Sequence, residues 1–181
     1  DVCSSDLMDG SDAVVKIAKA LPAHGVTGFL PTTSNAPIER TRRAVEGMAL
    51  AMDENASGAR VLGIHMEGPF LNAAHAGAQR PEDNLLPGLA RLAQLAGNGL
   101  PALRLITLAP ELEGALPLIE ELKAMGISSS AGHTAASFSL IQEAACLGLS
   151  QVTHLFNGMN ALHHRKPNVP GAALVDDRLY A

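Results

Sequence analysis

The sequence predicts an α/β fold built on a parallel sheet. Short apolar runs without polar alternation recur along the chain, as expected of strands covered on both faces. Most are followed by a helix-length segment, the order of a βα unit. No Gly-x-Gly-x-x-Gly turn follows any of the strands, which weakens the dinucleotide-binding form of a doubly wound sheet. Roughly five βα units fit either a (β/α)8 barrel or a doubly wound sheet.

Val26–Leu30 reads as the first buried strand, ending at Pro31-Thr32-Thr33-Ser34. Val61–Met66, Leu103–Leu108, the serine-rich Ile127–Ser130 and Gln151–Leu155 follow. Between them, Ser11–His24 opens on Ser11 as a cap and ends at Gly25, the usual residue past a helix end. Ala36–Asn55 carries Pro37 in its first turn and a face of Glu39, Arg40, Arg42, Arg43 and Glu46 suited to ion pairs. Leu85–Leu95 is a shorter helix between Pro81 and Gly97, and Glu111–Met125 and Thr134–Leu147 end at Gly126 and Gly148. Neither fixed-period repeats nor low-complexity linkers divide the chain.

The 181 residues are 47% hydrophobic and 17% charged, enough for a sizeable core and one domain. A net charge of -5 and a pI near 5.8 argue against nucleic acid as a partner. No apolar run is long enough to span a bilayer, so no membrane role is expected. The start lacks the basic and apolar regions of a signal peptide, and both ends read as cut. Two cysteines, Cys3 and Cys146, make no disulfide framework and point to a reducing, cytoplasmic setting. Cys146, in an Ala- and Leu-rich helix, reads as a small core residue.

The polar residues gather where strands end. Val61–Met66 runs into Glu67, Ile127–Ser130 leads to His133, and Gln151-Val152-Thr153 leads to His154. In a parallel barrel such ends share one mouth, where barrel active sites are built. One carboxylate and two imidazoles form a ligand set of catalytic zinc sites. His65, two residues before Glu67, points to the same side of its strand and competes as a ligand on pattern alone.

His65-Met66-Glu67-Gly68-Pro69-Phe70-Leu71-Asn72 resembles the His-x-Glu-Gly-Pro segment of the N-acetylglucosamine-6-phosphate deacetylases. Thr107-Leu108-Ala109-Pro110-Glu111 resembles that family's Thr-x-Ala-Pro-Glu segment. Ser130-Ala131-Gly132-His133-Thr134 and Thr153-His154-Leu155-Phe156-Asn157-Gly158-Met159 are similar to its two histidine motifs. Arg165-Lys166-Pro167, Pro170-Gly171, Met8-Asp9-Gly10 and Leu30-Pro31-Thr32-Thr33 fit flanking segments, so the likeness runs in one order from Met8 to Ala181.

The resemblance implies a partial, distorted (β/α)8 TIM-type barrel of the amidohydrolase kind over 8–181. Its first and last strands, and the small β-sandwich built from the family's termini, would be missing. Residues 1–7, with Cys3-Ser4-Ser5-Asp6-Leu7 where the family carries a His-x-His-type motif, read as foreign to the pattern. The resemblance makes Glu67, His133 and His154 the ligands of a divalent metal, Zn2+ foremost, with Fe2+, Mn2+ or Co2+ as alternatives. His65 then becomes structural or supports the ligands. Ala78, Gln79, Asn157 and Gly158 fall at substrate contacts, and Arg165 at the phosphate anchor, where a guanidinium fork suits a dianion. The expected catalytic aspartate lies beyond Ala181. The implied reaction is hydrolysis of the acetamide of N-acetylglucosamine 6-phosphate, by a homodimer, and the piece alone is expected to be inactive. A different N-acyl sugar, a cyclic amide, or a non-catalytic binding remnant are the rival readings. Glu111 has no assigned role beyond support of a helix start, His163 and His164 read as solvent-exposed, and His24 and His75 read as structural or surface residues.

Overall fold

The computed structural model describes residues 6–54 and 57–181. Cys3-Ser4-Ser5 and the Asn55 end of the second predicted helix lie outside the described residues.

The strands are β1 (Gly28–Phe29), β2 (Thr32–Thr33), β3 (Arg60–Val61), β4 (Ile64–Glu67), β5 (Leu103–Leu108), β6 (Ser128–Ala131) and β7 (Leu149–Val152). The helices are α1 (Ser11–Ala20), α2 (Ile38–Glu54), α3 (Leu89–Ala96), α4 (Ala115–Ala124), α5 (Phe138–Leu147) and α6 (Asn168–Val175). β1 pairs with β3, and the main sheet runs β2-β4-β5-β6-β7 with every pairing parallel. All carboxyl ends of the main sheet therefore point the same way. The helices form an outer layer in which α1 packs on α2, α2 on α3, α4 on α5 and α5 on α6.

The core lies between these layers. From the sheet come Ile64, Met66, Leu103, Ile106, Leu108 and Leu149, and from the helices Met48, Leu92, Leu95, Leu118, Ile119, Leu122 and Ile141, all buried. In α4 the buried positions Ala115, Leu118, Ile119 and Leu122 follow the i, i+3, i+4, i+7 stripe of a helix with one apolar face. Each fully buried Leu or Ile contributes roughly 1.5–3 kcal/mol relative to an exposed one.

The structure revises the predicted elements in definite ways. The predicted strand Val26–Leu30 shortens to β1, and beyond Pro31 the residues Thr32–Thr33, expected as loop, pair with His65 and Met66 as β2. Val61–Met66 breaks at Leu62-Gly63, where Gly63 has φ 149, and passes from β3 to β4. Both chains thus step from the small sheet to the large one together. The helices predicted from Glu111 and Thr134 begin later. Gly114 (φ 85) precedes α4, and Ser137, whose side chain accepts from Leu140 N, caps α5. Leu85–Gly88 is not helical and precedes α3, and the end of the first helix, Leu21–His24, tightens into a 3-10 turn containing Pro22. Gly10, not Ser11, occupies the α1 cap position. α6 had no counterpart in the sequence reading, because Pro170 and Gly171 look like breakers. Pro170 falls in its first turn, where no N–H is needed. Cys146 is exposed rather than core: α5 buries Ile141, Ala144 and Ala145, and Cys146 Sγ instead accepts from Arg178 at 3.1 Å.

β2 and β7 are the two edges of the main sheet. Tyr180 pairs with part of the β7 edge, its N–H donating to Ser150 O and its carbonyl accepting from Val152 N. Leu162, Leu174, Val175 and Tyr180 present exposed apolar side chains on and beside α6. Strand edges next to apolar surface favour pairing with other chains. The isolated chain should therefore self-associate in size-exclusion chromatography with light scattering. A cooperatively melting monomer would contradict this expectation.

Candidate metal centre

Each of three polar side chains lies at or just past a strand's carboxyl end. Glu67 is the last residue of β4, while His133 and His154 sit shortly beyond β6 and β7. The structure brings the three together. His133 Nε2 is 2.9 Å from Glu67 Oε1 and 3.1 Å from His154 Nε2, and His154 Nε2 is 3.7 Å from Glu67 Oε1. In a tetrahedral site with bonds of about 2.0–2.1 Å, ligand atoms stand about 3.4 Å apart, so this triangle matches the footprint of one ion. Among the described residues, these three form the group of acidic, His or Cys side chains placed to hold a cation.

The donor chemistry fits a cation independently of the distances. His133 Nδ1 is 2.8 Å from His75 O, and His154 Nδ1 is 2.9 Å from Asn157 O. A carbonyl oxygen only accepts, so each Nδ1 carries the proton and donates it. In the neutral ring each Nε2 then bears a lone pair. Two lone pairs and a carboxylate oxygen thus face one point, an arrangement that calls for positive charge between them. A proton can supply it: hydrogen bonding to Glu67 raises the pKa of His133 above its ordinary value, against the opposing effect of burial. Burial pushes the Glu67 carboxyl upward, but hydrogen bonds from His133 and Gln79 and the nearby His65 outweigh it and leave the pKa lowered. Glu67 and His133 are well covered, whereas the His154 side chain is 33% exposed, so the cluster opens to solvent on that side.

Support for the cluster comes from neighbouring loops. Gln79 Nε2 donates to Glu67 Oε1 at 3.0 Å, and Gln79 Oε1 accepts from Asn35 N at 2.7 Å. Because Asn35 N–H can only donate, it fixes which end of the Gln79 amide faces the carboxylate. Asn35, buried after β2, also donates from Nδ2 to Arg80 O and Asn84 Oδ1, pinning the loop that carries Gln79. Sequence reasoning assigned Gln79 to substrate contact. Its side chain here engages Glu67, and Asn35 was missed although it too follows a strand end. Gly158 lies against both rings: a Cβ there would come within 3.2 Å of His133 Nδ1 and 3.4 Å of His154 Cε1. Asn157 supplies the carbonyl that holds His154. Ala78 is exposed on the loop beside Gln79.

His65 is not a member of the triangle. It lies on the same side of β4 as Glu67 but deeper, its Nε2 2.7 Å from Thr107 Oγ1 and its Nδ1 3.2 Å from Thr32 Oγ1. Burial lowers its pKa, only partly countered by Glu67. Thr107 continues to Thr153 and Ser130 through hydroxyl contacts of 2.7 and 2.6 Å, so a hydrogen-bonded chain crosses the sheet beneath the cluster. Arg165 stands apart from the triangle, exposed at an open groove of about 580 Å³ shared with Ser137, Ser139, Asn160 and Lys166. His163 and His164 are exposed beside it with ring centroids 4.2 Å apart. His24 is exposed, and His75 contributes its backbone carbonyl.

The parallel strands, helical outer layer and strand-end cluster define part of an amidohydrolase-type (β/α)8 barrel. Two solved structures of N-acetyl-D-glucosamine-6-phosphate deacetylase from Mycobacterium smegmatis superimpose with TM-scores of 0.89 and 0.90 at 29% identity, covering 97% of this chain and 46% and 45% of theirs. One, an Asp-to-Ala mutant of that enzyme, is in complex with N-acetyl-D-glucosamine-6-phosphate. The Thermotoga maritima enzyme gives a TM-score of 0.84 at 30% identity over 96% of this chain and 46% of its own. In sequence, N-acetylgalactosamine-6-phosphate deacetylase of Escherichia coli is 37% identical over 176 residues, 97% of this chain and 47% of the relative. N-acetylglucosamine-6-phosphate deacetylase of Bacillus subtilis is 38% identical over 180 residues, 96% of this chain and 45% of the relative. No family model matches. Over nearly all of its own length the chain is similar to these amino-sugar-phosphate deacetylases, and it spans under half the length of these relatives.

Gly158 generates a test of the cluster. Its φ of 59 and its contacts with both rings disfavour a side chain, most of all a β-branched one. Gly158→Val should weaken Zn2+ binding by about tenfold or more, the loss seen when the support of metal ligands is disturbed. Gly158→Ala should weaken it less. Competition with a chromophoric chelator measures both, and equal affinities in all three proteins would show that this contact is immaterial.

Proposed function

We propose that the chain carries the metal-binding part of a deacetylase that hydrolyses N-acetylglucosamine 6-phosphate to glucosamine 6-phosphate and acetate, in amino-sugar catabolism. The observation that carries this reading is the convergence of Glu67 Oε1 with two Nε2 lone pairs, each fixed by a backbone carbonyl behind it. The proposed ligands are Glu67, His133 and His154, and the proposed metal is Zn2+, with Fe2+, Mn2+ and Co2+ as alternatives. A divalent cation held there supplies a water of lowered pKa and polarises the acetamide carbonyl.

The chain's own residues do the holding. Gln79 and Asn35 keep the Glu67 carboxylate turned to the cluster, and the His75 and Asn157 carbonyls keep both rings aimed. On the family pattern, the Asn157-Gly158 segment, Ala78 and Gln79 meet the sugar, and Arg165 takes the phosphate. The proton taken from water and returned to the leaving amine passes through a carboxylate outside these 181 residues, the aspartate expected beyond Ala181. A cytoplasmic homodimer completes the reading, with residues 8–181 as one partial barrel domain. The E. coli relative favours a second reading, the N-acetylgalactosamine 6-phosphate epimer as substrate. Acetate release from the two epimers, assayed side by side, decides between them.

His133→Ala should abolish stoichiometric Zn2+ binding by the chain and acetate release by the full-length protein. Retention of both would sink the metal reading. Arg165→Ala in the full-length protein should raise KM for the phosphorylated sugar strongly and change the weak reaction of the unphosphorylated sugar little. A charge-assisted contact to phosphate contributes about 1.5–3 kcal/mol only where a phosphate exists. Equal losses on both sugars would make Arg165 a fold residue. Mixing Arg165→Ala with His133→Ala chains should restore part of the activity if the arginine reaches a neighbouring subunit's site. No recovery would keep it in its own.

A further inference from the structure

Glu111, three residues past β5, takes no part in the triangle yet accepts three hydrogen bonds from two separate loops. Its Oε1 accepts from Ala135 N at 2.6 Å and from Asn72 Nδ2 at 2.8 Å, and its Oε2 accepts from the Thr134 hydroxyl. Ala135 and Thr134 directly follow His133. Asn72 lies five residues after Glu67 and donates from its backbone N–H to His133 O at 2.9 Å. Thr134 N–H goes to Gly158 O, in the loop that follows His154. The backbone of His133 is left-handed, φ 49, a conformation that a non-glycine residue keeps only when its surroundings hold it there. The His133 carbonyl and the Thr134 and Ala135 N–H groups are tied, and one carboxylate ties both the turn after His133 and the loop after Glu67.

We infer that Glu111 is a positioning residue of the metal centre, acting through His133: its carboxylate sets the turn that aims His133 Nε2 at Glu67 and His154. The inference rests on the metal reading of the triangle, and it gives the Thr107-to-Glu111 motif a task beyond starting a helix. The helix-start alternative does not fit, because α4 begins only at Ala115, after Gly114.

Reach is what this role demands. Glu111→Gln keeps an oxygen for Ala135 N and Asn72, and its amide can donate to the Thr134 hydroxyl, so Zn2+ affinity should stay within about threefold. Glu111→Ala should lower Zn2+ affinity by about 10- to 100-fold, the range for groups that orient metal ligands. It should also alter the visible spectrum of the Co2+-loaded chain. If the Ala variant does not fold, Glu111→Asp carries the same expectation, since it keeps the charge but draws the carboxylate back by one methylene. Glu113→Ala, an exposed neighbour, serves as control and should match the unsubstituted chain. Unchanged affinity and Co2+ spectrum in the Ala and Asp variants, with only the melting temperature lowered, overturns the inference and leaves the metal reading intact. Absence of Zn2+ binding by the unsubstituted chain overturns both.

Discussion

The site depends on which nitrogen of each imidazole carries its proton. A histidine at the rim of a barrel has two ring nitrogens to offer, and a partner that can only accept, or only donate, decides between them. Here the partners are backbone carbonyls, of His75 for His133 and of Asn157 for His154. Both lone pairs are thereby sent to the side where Glu67 stands. Side-chain acceptors could have served, but a hydroxyl can reverse its role and a carbonyl cannot. The rest of the local structure can be read as keeping those two carbonyls in place. The 3-10 turn at Ala73–His75, capped by Asn72 Oδ1, presents one, and the tight turn from His154 to Asn157 presents the other.

That arrangement strains the backbone. His133, His154 and Phe156 all have positive φ, at 49, 36 and 76. Such residues cost roughly 1–3 kcal/mol each and persist only where neighbouring bonds over-determine them. The bonds are visible: Asn72 to the His133 carbonyl, Thr134 to the Gly158 carbonyl, Asn157 N–H to the His154 carbonyl. Gly158 adds a steric condition, since the two rings lie against its α-carbon. Below this layer the His65–Thr107–Thr153–Ser130 chain replaces apolar packing with hydroxyl contacts between strands. Two kinds of order are stacked here, buried hydrogen bonds beneath and strained, clamped turns above.

Much of this was legible in the sequence, and the part that was not has physical reasons. Apolar runs and helix-length spacers revealed the parallel sheet, because burial on both faces leaves a direct mark on composition. The convergence of Glu67, His133 and His154 was legible because each follows such a run, although pattern alone left His65 in competition with them. The broken first strands were not, since Pro31 and Gly63 alter pairing through backbone geometry while the surrounding residues remain apolar. α6 hid behind Pro170 and Gly171, which read as breakers, but Pro170 falls in the first turn, where its missing N–H costs no helical hydrogen bond. His65 shows the limit of period-two reasoning: the pattern gives the face but not the depth, and depth decided that it meets threonines instead of the cluster. Asn35 and the side-chain partners of Gln79 and Glu111 depend on contacts 12 to 49 residues apart in the chain, for which local pattern carries no signal. Cys146 was misplaced for a related reason, because an apolar helix does not by itself say which side faces out.

The same long separations join the site to the stability of the fold. Glu67 and His133 lie 66 residues apart, and His133 and His154 lie 21 apart, so no two ligands meet until β4, β6 and β7 share a sheet. An unfolded chain holds no comparable triangle, and a cation that binds only the folded form stabilises it by mass action, about 2.7 kcal/mol at a hundredfold excess over Kd. That is comparable to the cost of the strained residues that the triangle requires. Binding and folding at this face are therefore one equilibrium, joined through the turns that carry His133 and His154.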